Sequence, residues 1–83
     1  MRLPRDVSGE QLAGLLSRYG YRVTRQTGSH LRLTVQQRGG SYHITIPRHS
    51  SLRAGTLAAI LREVSTQLEL ERRRLVEELF DRH

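Results

Sequence analysis

Residues 28–49, GSHLRLTVQQRGGSYHITIPRH, contain the pattern that decides the fold. Apolar and polar residues alternate along two segments, and this period of two predicts strands with one buried face. Gly39-Gly40 marks the turn between the segments, and Pro47 ends the second one because proline cannot donate a ladder hydrogen bond. The stretch therefore predicts an antiparallel hairpin. Its apolar positions are Leu31, Leu33, Val35, Tyr42, Ile44 and Ile46.

One more strand and two helices are predicted around this hairpin. Tyr21 and Val23 alternate with polar residues and predict a strand before it. Ser8 and Gln11 form a capping box, which predicts a helix over 9–19 that stops at Gly20. A second helix is predicted to start near Gly55 or Thr56, with apolar residues at helical spacing at Leu57, Ile60, Leu61 and Val64. We therefore expect an α+β fold, a two-layer α-β-β-β-α domain with both helices on one face of a three-stranded antiparallel sheet.

The expected strand register brings several polar side chains together. A three-residue loop, 26–28, with Gly28 left-handed is a favoured hairpin connection. It would pair Val23 with Leu31 and Tyr21 with Leu33 in the core. On the polar face it would pair Thr24 with His30 and Arg22 with Arg32.

The second hairpin has a longer loop, so its register is less constrained. Apolar residues of the two strands must share a face, so the register can change only in steps of two residues. Position 30 then lies opposite Pro47 or His49, and we therefore expect His49 near His30. Val35 would face Tyr42 or Ile44. His43 would fall opposite position 34 or 36, on the order of 13 Å or more from His30.

Residues 65–83 are expected to form a helical C-terminal extension beyond a domain of residues 1–64. Their helix is either continuous with the second helix or restarted at Ser65 or Thr66. The run Arg72-Arg73-Arg74 is expected on a solvated helix face. The apolar residues Leu68, Leu75, Leu79 and Phe80 would pack back on their own domain or meet another chain, which could be a second copy.

The charge is concentrated in the part of the chain that carries the strands. The formal net charge is +6, and all 14 basic residues are arginines. Residues 1–62 carry ten Arg against two acidic residues, whereas residues 63–83 carry four Arg against six acidic residues. A basic domain attracts phosphate polymers, so a nucleic acid is an expected partner.

Other composition features exclude some classes of protein. The chain has no cysteine, which excludes a disulfide framework and a thiol nucleophile. It has no apolar run of membrane length and no apolar signal core. We expect a single domain without a membrane span, located in the cytoplasm.

Three short motifs, in order, resemble one family of small bacterial toxins. Gly28-Ser29-His30, then Ile46-Pro47-Arg48-His49, then Gly55-Thr56-Leu57 resemble the HicA family over about residues 3–64. The resemblance implies a double-stranded-RNA-binding-domain-like fold and ribosome-independent cleavage of mRNA. It also implies a HicB antitoxin as partner and no cofactor, and it places His30 at the catalytic histidine of the family.

The residues themselves suit RNA cleavage. An imidazole can transfer a proton near neutral pH, and the forked guanidinium can bind phosphate, so His30 would act with Arg22 and Arg32. His49 is the geometric candidate for the second proton transfer. Further candidates for RNA or phosphate contacts are Gly28, Ser29, Arg48 and Thr56.

No Asp or Glu lies in the predicted strands, which disfavours a two-metal nuclease, so no metal site is expected. Two other functions fit the sequence. The same basic face could bind RNA without cleaving it, or the apolar C-terminal helix could serve as the docking element of an adaptor.

Overall fold

The fold has the predicted α+β architecture, including a helix in the C-terminal extension. In the computed structural model, which describes residues 3–80, the three strands form one antiparallel sheet in the order β1-β2-β3. Residues 1–2 and the last three residues of the predicted extension, 81–83, lie outside the described part. The elements are α1 (Gly9–Leu16), β1 (Arg22–Gln26), β2 (His30–Gln37), β3 (Gly40–Pro47), α2 (Ala54–Leu68) and α3 (Arg72–Phe80). The last three residues of the predicted helix 9–19, Ser17–Tyr19, form a 3-10 helix that ends at Gly20.

The start of α1 is fixed by its cap and by a close backbone contact. Ser8 Oγ accepts from Gln11 N at 3.0 Å and Gln11 Oε1 accepts from Ser8 N at 2.9 Å, which confirms the predicted capping box. Gly9 N donates to the carbonyl of His49 at 3.0 Å. A Cβ on Gly9 would lie 2.0 Å from the carbonyl oxygen of Pro47, so only glycine permits this approach of α1 to the end of β3.

The helices and one face of the sheet enclose a single apolar core. Along β2 every second residue from Leu31 to Val35 is buried, and the residues between them are mostly exposed. In β3 the alternation holds only for Ile44 and Ile46, since Tyr42, expected on the buried face, is 39% exposed. The buried strand residues are Leu31, Leu33, Val35, Ile44 and Ile46, and the buried helix residues include Leu12, Leu16, Leu57, Leu61, Val64, Leu75 and Leu79. The opposite face of the sheet is left open to solvent and polar.

The predicted register of the first hairpin is wrong. Arg22 pairs with Thr34, Val23 with Leu33 and Arg25 with Arg32, and an irregularity lies between Val23 and Arg25. The extra residue, Thr24, is a β-bulge that shifts the strand by one position, and such a bulge leaves no signature in the alternation of apolar residues. Consequently Arg25, rather than Arg22, lies opposite Arg32.

Two further expectations for this hairpin are wrong: that Gly28 is left-handed and that Val23 lies in the core. Gly28 has no positive φ and open space around its Cβ position, because the turn is held by a threonine side chain instead. Val23 is 46% exposed because β1 is an edge strand whose inner side is only partly covered. The one side chain of this segment that enters the core is Tyr21, just before β1 begins.

The register of the second hairpin agrees with the alternatives derived from parity. His30 pairs with Pro47, Thr34 with His43, and Val35 with Tyr42. Pro47 is the last residue of β3, as predicted.

The C-terminal segment packs on its own domain. Helix α2 starts at Ala54 and continues to Leu68, so the proposed boundary after residue 64 falls inside it, and it restarts at neither Ser65 nor Thr66. Glu69 has φ 55° and Leu70 N donates to Ser65 O at 3.0 Å, which together end the helix before α3 begins. Leu75, Val76 and Leu79 of α3 are fully or almost fully buried in the common core.

Within residues 3–80, no helix is both long and apolar enough to cross a bilayer.

Candidate functional site

A threonine hydroxyl shapes the turn that carries His30. Thr27 Oγ1 accepts from the backbone N–H groups of Ser29 at 3.3 Å and of His30 at 3.0 Å. Thr27 N in turn donates to His30 O at 3.0 Å. Threonine and serine hydroxyls commonly stabilise turns in this way. The turn therefore fixes the backbone of His30 at the point where β2 starts.

The serine next to His30 orients the imidazole ring. Ser29 Oγ lies 2.9 Å from His30 Nδ1. When Nδ1 carries the hydrogen and donates it to Ser29, Nε2 retains a lone pair and can accept a proton. With Nδ1 held in this hydrogen bond, Nε2 is the ring nitrogen available for proton transfer.

Arg48 is engaged with protein groups. Its Nη1 donates to Thr27 O at 2.8 Å, and its Nη2 and Nε donate to Glu10 Oε2 at 2.8 and 3.2 Å. Its backbone N–H donates to Ser29 O at 2.8 Å. Arg48 thus connects the turn before His30 to the first turn of α1.

His30 lines a shallow cavity of about 480 Å³, widely open to solvent, together with the start of α2. Gly55 and Thr56 come from the first turn of α2, and Glu63 comes from two turns further along the same helix. Thr45 and Pro47 of β3 line the strand side, and Ala59 and Ile60 complete the wall. Backbone N–H groups of a helix's first turn have no partners within the helix, so the part of the cavity beside Gly55 and Thr56 favours an anion, whereas the carboxylate of Glu63 does not.

The exposed face of the sheet is basic beside this cavity. Arg32 follows His30 by two positions on β2 and pairs with Arg25 on β1 and with Thr45 on β3. Residues directly paired across strands share a face, so the side chains of Arg25 and Arg32 start from neighbouring positions on the open face. A like-charged pair is relieved when an anion binds between its members.

The remaining histidines differ in their surroundings. His43 Nδ1 lies 2.8 Å from Thr34 Oγ1, which lies 2.7 Å from Thr24 Oγ1, so His43 belongs to a polar row in the middle of the open face. His49 is exposed and lies two residues beyond the partner of His30, and it is not among the residues that line the cavity with His30. Its backbone carbonyl serves instead as the acceptor for Gly9 at the start of α1.

Within residues 3–80, no group of three or more His, Cys, Asp or Glu side chains is arranged to hold a metal ion.

Comparison with models of protein families finds one matching family. The family described as "HicA toxin of bacterial toxin-antitoxin" matches residues 9–65, which is more than half of the sequence. The chain belongs to the HicA toxin family. As a HicA-type toxin it is one member of a toxin–antitoxin pair, and the family implies an antitoxin as its partner. Neither the curated proteins nor the solved structures gave a match.

The HicA match covers α1, the whole sheet and most of α2, and it ends before α3. His30, Thr56, Glu63 and Arg48 all lie within the matched residues. Helix α3 is therefore an element that this chain adds to the matched part.

Four residues of the site were missed from the sequence. Glu63 could have been found, because Thr56, Ala59, Ile60 and Glu63 follow a spacing of three or four residues and share one face of a helix. Arg25 lies opposite Arg32 only because the bulge shifts β1 by one residue. The roles of Thr27 and Glu10 depend on hydrogen bonds to backbone groups and to Arg48, and such contacts leave no periodic signal.

Proposed function

We propose that this HicA-family toxin is an mRNA endoribonuclease that uses His30 for proton transfer and needs no metal ion. One observation carries the proposal: the imidazole of His30 and the first turn of α2 line the same cavity, beside the paired arginines 25 and 32. This observation supports the proposal because phosphodiester cleavage needs a proton-transfer group next to a group that binds the phosphate, and His30 and the first turn of α2 would supply these two groups.

The reaction would proceed by attack of the RNA on its own backbone. A base removes the proton from the 2′-hydroxyl, and the 2′-oxygen bonds to phosphorus. The bond to the 5′-oxygen breaks, and an acid protonates that leaving oxygen. The products are a 2′,3′-cyclic phosphate and a free 5′-hydroxyl, so atoms and charge balance without a co-reactant. His30 Nε2 supplies one of the two proton transfers.

Two side chains are candidates for the other proton transfer. His49 was predicted from the sequence. Glu63 has the stronger geometric support because it lines the cavity with His30. A carboxylate can act as the base while a protonated imidazole acts as the acid, or the roles can be exchanged.

Phosphate binding is proposed for two groups of residues. Arg22, Arg25 and Arg32 would contact the RNA backbone along the open face, because a guanidinium can donate two hydrogen bonds to a phosphate. Near the scissile bond, Thr56 would bind phosphate at the start of α2. Gly28 and Ser29 would allow close approach of the RNA, since nothing lies within 4 Å of the Cβ position of Gly28.

Three further parts of the account belong to the same proposal. The antitoxin partner would be a HicB-type protein, and an mRNA substrate would place the toxin in the cytoplasm. Self-association through α3 would have to use its exposed side, since its main apolar residues already lie in the core.

Two other functions remain to be separated from this one. A module that only binds RNA would use the same arginines but would not depend on His30. An adaptor that docks through α3 would depend on the tail and would retain function without His30.

Induced expression of the wild-type chain and two variants separates these functions. His30→Ala removes the proposed proton-transfer group, and His43→Ala is a matched control on the same exposed face. We expect the wild type and His43→Ala to arrest growth and fragment mRNA, whereas His30→Ala should do neither at equal protein level. Growth arrest by His30→Ala together with intact mRNA would contradict the ribonuclease proposal and support the two non-catalytic functions, of which only the adaptor depends on the C-terminal tail.

A further inference from the structure

The contacts of Arg48 connect three parts of the chain that are distant in sequence. The guanidinium lies between Thr27 O, at 2.8 Å from Nη1, and Glu10 Oε2, at 2.8 Å from Nη2. The backbone of the same residue donates to Ser29 O at 2.8 Å. One residue therefore holds the loop between β1 and β2 at two carbonyls and ties it to the first turn of α1.

We propose that Arg48 and Glu10 form a clamp that positions the imidazole of His30. The clamp acts on the backbone of Thr27 and Ser29, and these residues hold His30 through the Thr27 hydroxyl and the Ser29 hydroxyl. Arg48 and Glu10 are thus positioning residues that act through the turn. This inference rests on the proposed function of His30 and assigns a different role to Arg48 than contact with RNA.

The geometry favours a clamp over a phosphate contact. The Nε, Nη1 and Nη2 atoms of Arg48 each already donate to a protein acceptor. The carboxylate of Glu10 also neutralises the positive charge that would attract a phosphate, and only 25% of the Arg48 side chain is exposed. The planar fork of arginine spreads its donors over three nitrogen atoms and so spans the acceptors Thr27 O and Glu10 Oε2, whereas the compact ammonium group of lysine does not match this geometry.

A substitution at Glu10 separates the two roles because they predict opposite results. If Arg48 held phosphate, Glu10→Gln would free its charge and tighten RNA binding. If Arg48 positions the turn, Glu10→Gln should lower kcat by about 10-fold, since small displacements of a catalytic group can cost up to about 100-fold. RNA affinity, measured in the His30→Ala background, should change less than twofold. Glu77→Gln on α3 is the matched control for the change in charge.

A second readout does not depend on catalysis. Hydrogen exchange at the amides of Thr27 and His30, both bonded within the turn, should become at least fivefold faster in Arg48→Ala and in Glu10→Gln than in the wild type. Arg48→Lys should restore only part of the protection, because its compact ammonium group lacks the planar fork that spans both acceptors. Arg38→Lys, in the turn at the opposite end of the sheet, should leave both amides unchanged.

The outcomes separate the clamp from the proposed function. Unchanged exchange in Glu10→Gln, or RNA binding that becomes tighter while kcat is kept, would overturn the clamp. If the clamp variants exchange faster but the wild type cleaves no RNA, the result would support the clamp as the structure that holds the turn. It would then contradict only the ribonuclease proposal.

Discussion

His30 and Thr56 line one cavity, although His30 starts the central strand and Thr56 lies in the first turn of α2. The pairing of His30 with Pro47 at the end of β3 accounts for this proximity, because the chain needs only the short connection 48–53 to pass from β3 into α2. The glycine-serine-histidine and glycine-threonine-leucine motifs therefore both contribute residues to the lining of this cavity.

The paired arginines should contribute to RNA binding through phosphate contacts. Arg25→Ala and Arg32→Ala should each weaken binding of a single-stranded RNA and reduce the salt dependence of its affinity by about 0.7 units of slope. The free protein should be unchanged in stability or slightly more stable, because a like-charged pair is relieved. Filter binding or fluorescence anisotropy over a range of salt concentrations measures both quantities.

Arg38→Ala is the control for this experiment, since Arg38 is exposed in the turn between β2 and β3. Equal slopes for Arg38→Ala and Arg32→Ala would mean that only net charge matters. An unchanged slope in both pair variants would show that the RNA does not cross the open face.

Substitution of Glu63 tests the second proton-transfer group. The pH profile of kcat/KM reports the essential acid and base of the free enzyme. If Glu63 is the base, Glu63→Gln should remove the acidic limb of the profile and lower the maximum rate by about 100-fold or more. His49→Ala should keep both limbs. The reverse result, loss of a limb in His49→Ala alone, would assign the transfer to His49 and exclude Glu63.

Helix α3 should contribute to the stability of the whole domain. Leu75 is fully buried, so Leu75→Ala should lower the free energy of unfolding by about 2–5 kcal/mol. Arg73→Ala, at an exposed position of the same helix, should change it by less than about 0.5 kcal/mol. Urea denaturation measures both values. A small effect of Leu75→Ala would mean that α3 detaches readily and would make it available to a partner.

The docking of α3 should also depend on pH through Glu78. The hydroxyl of Tyr19 donates to Glu78, and Arg74 Nε donates to the same carboxylate at 3.0 Å. These hydrogen bonds hold the pKa of Glu78 below its ordinary value of 4.5. Burial and the same contact raise the pKa of Tyr19 to about 12.

Because the pKa of Glu78 is depressed in the folded state, its stabilising effect is complete above pH 4.5 and is lost as the pH falls through the folded-state value. Tyr19→Phe should therefore lower Tm near neutral pH, and the difference from the wild type should shrink below pH 4.5. The carboxyl resonance of Glu78 should titrate at higher pH in this variant. A Tm difference that is constant with pH would assign the effect to packing.

The order of elements and the buried face of β2 and β3 were predictable because alternation and helical spacing record which side chains enter the core. The capping box was predictable because two local hydrogen bonds require Ser8 and Gln11 at a fixed spacing. The requirement that apolar residues share a face limited the second hairpin to a few registers, and the observed pairing of His30 with Pro47 is one of them.

The wrong predictions concern parts of the structure that depend on individual contacts, which leave no periodic pattern in the sequence. The bulge at Thr24 shifts β1 by one residue and replaces Arg22 by Arg25 opposite Arg32. The turn before His30 is held by the hydroxyl of Thr27 and by Arg48, so Gly28 needs no left-handed conformation. The position of α3 was open because its apolar residues fit a core and an interface equally well.

The most direct test of the central proposal is cleavage of a defined RNA by purified protein in the presence of EDTA. The account predicts that wild type and His43→Ala cleave at similar rates and leave 2′,3′-cyclic phosphate ends. His30→Ala should keep its fold, as judged by circular dichroism and Tm, and lose at least about 100-fold in rate. Full cleavage by a folded His30→Ala protein, or activity that requires Mg²⁺, would contradict the account.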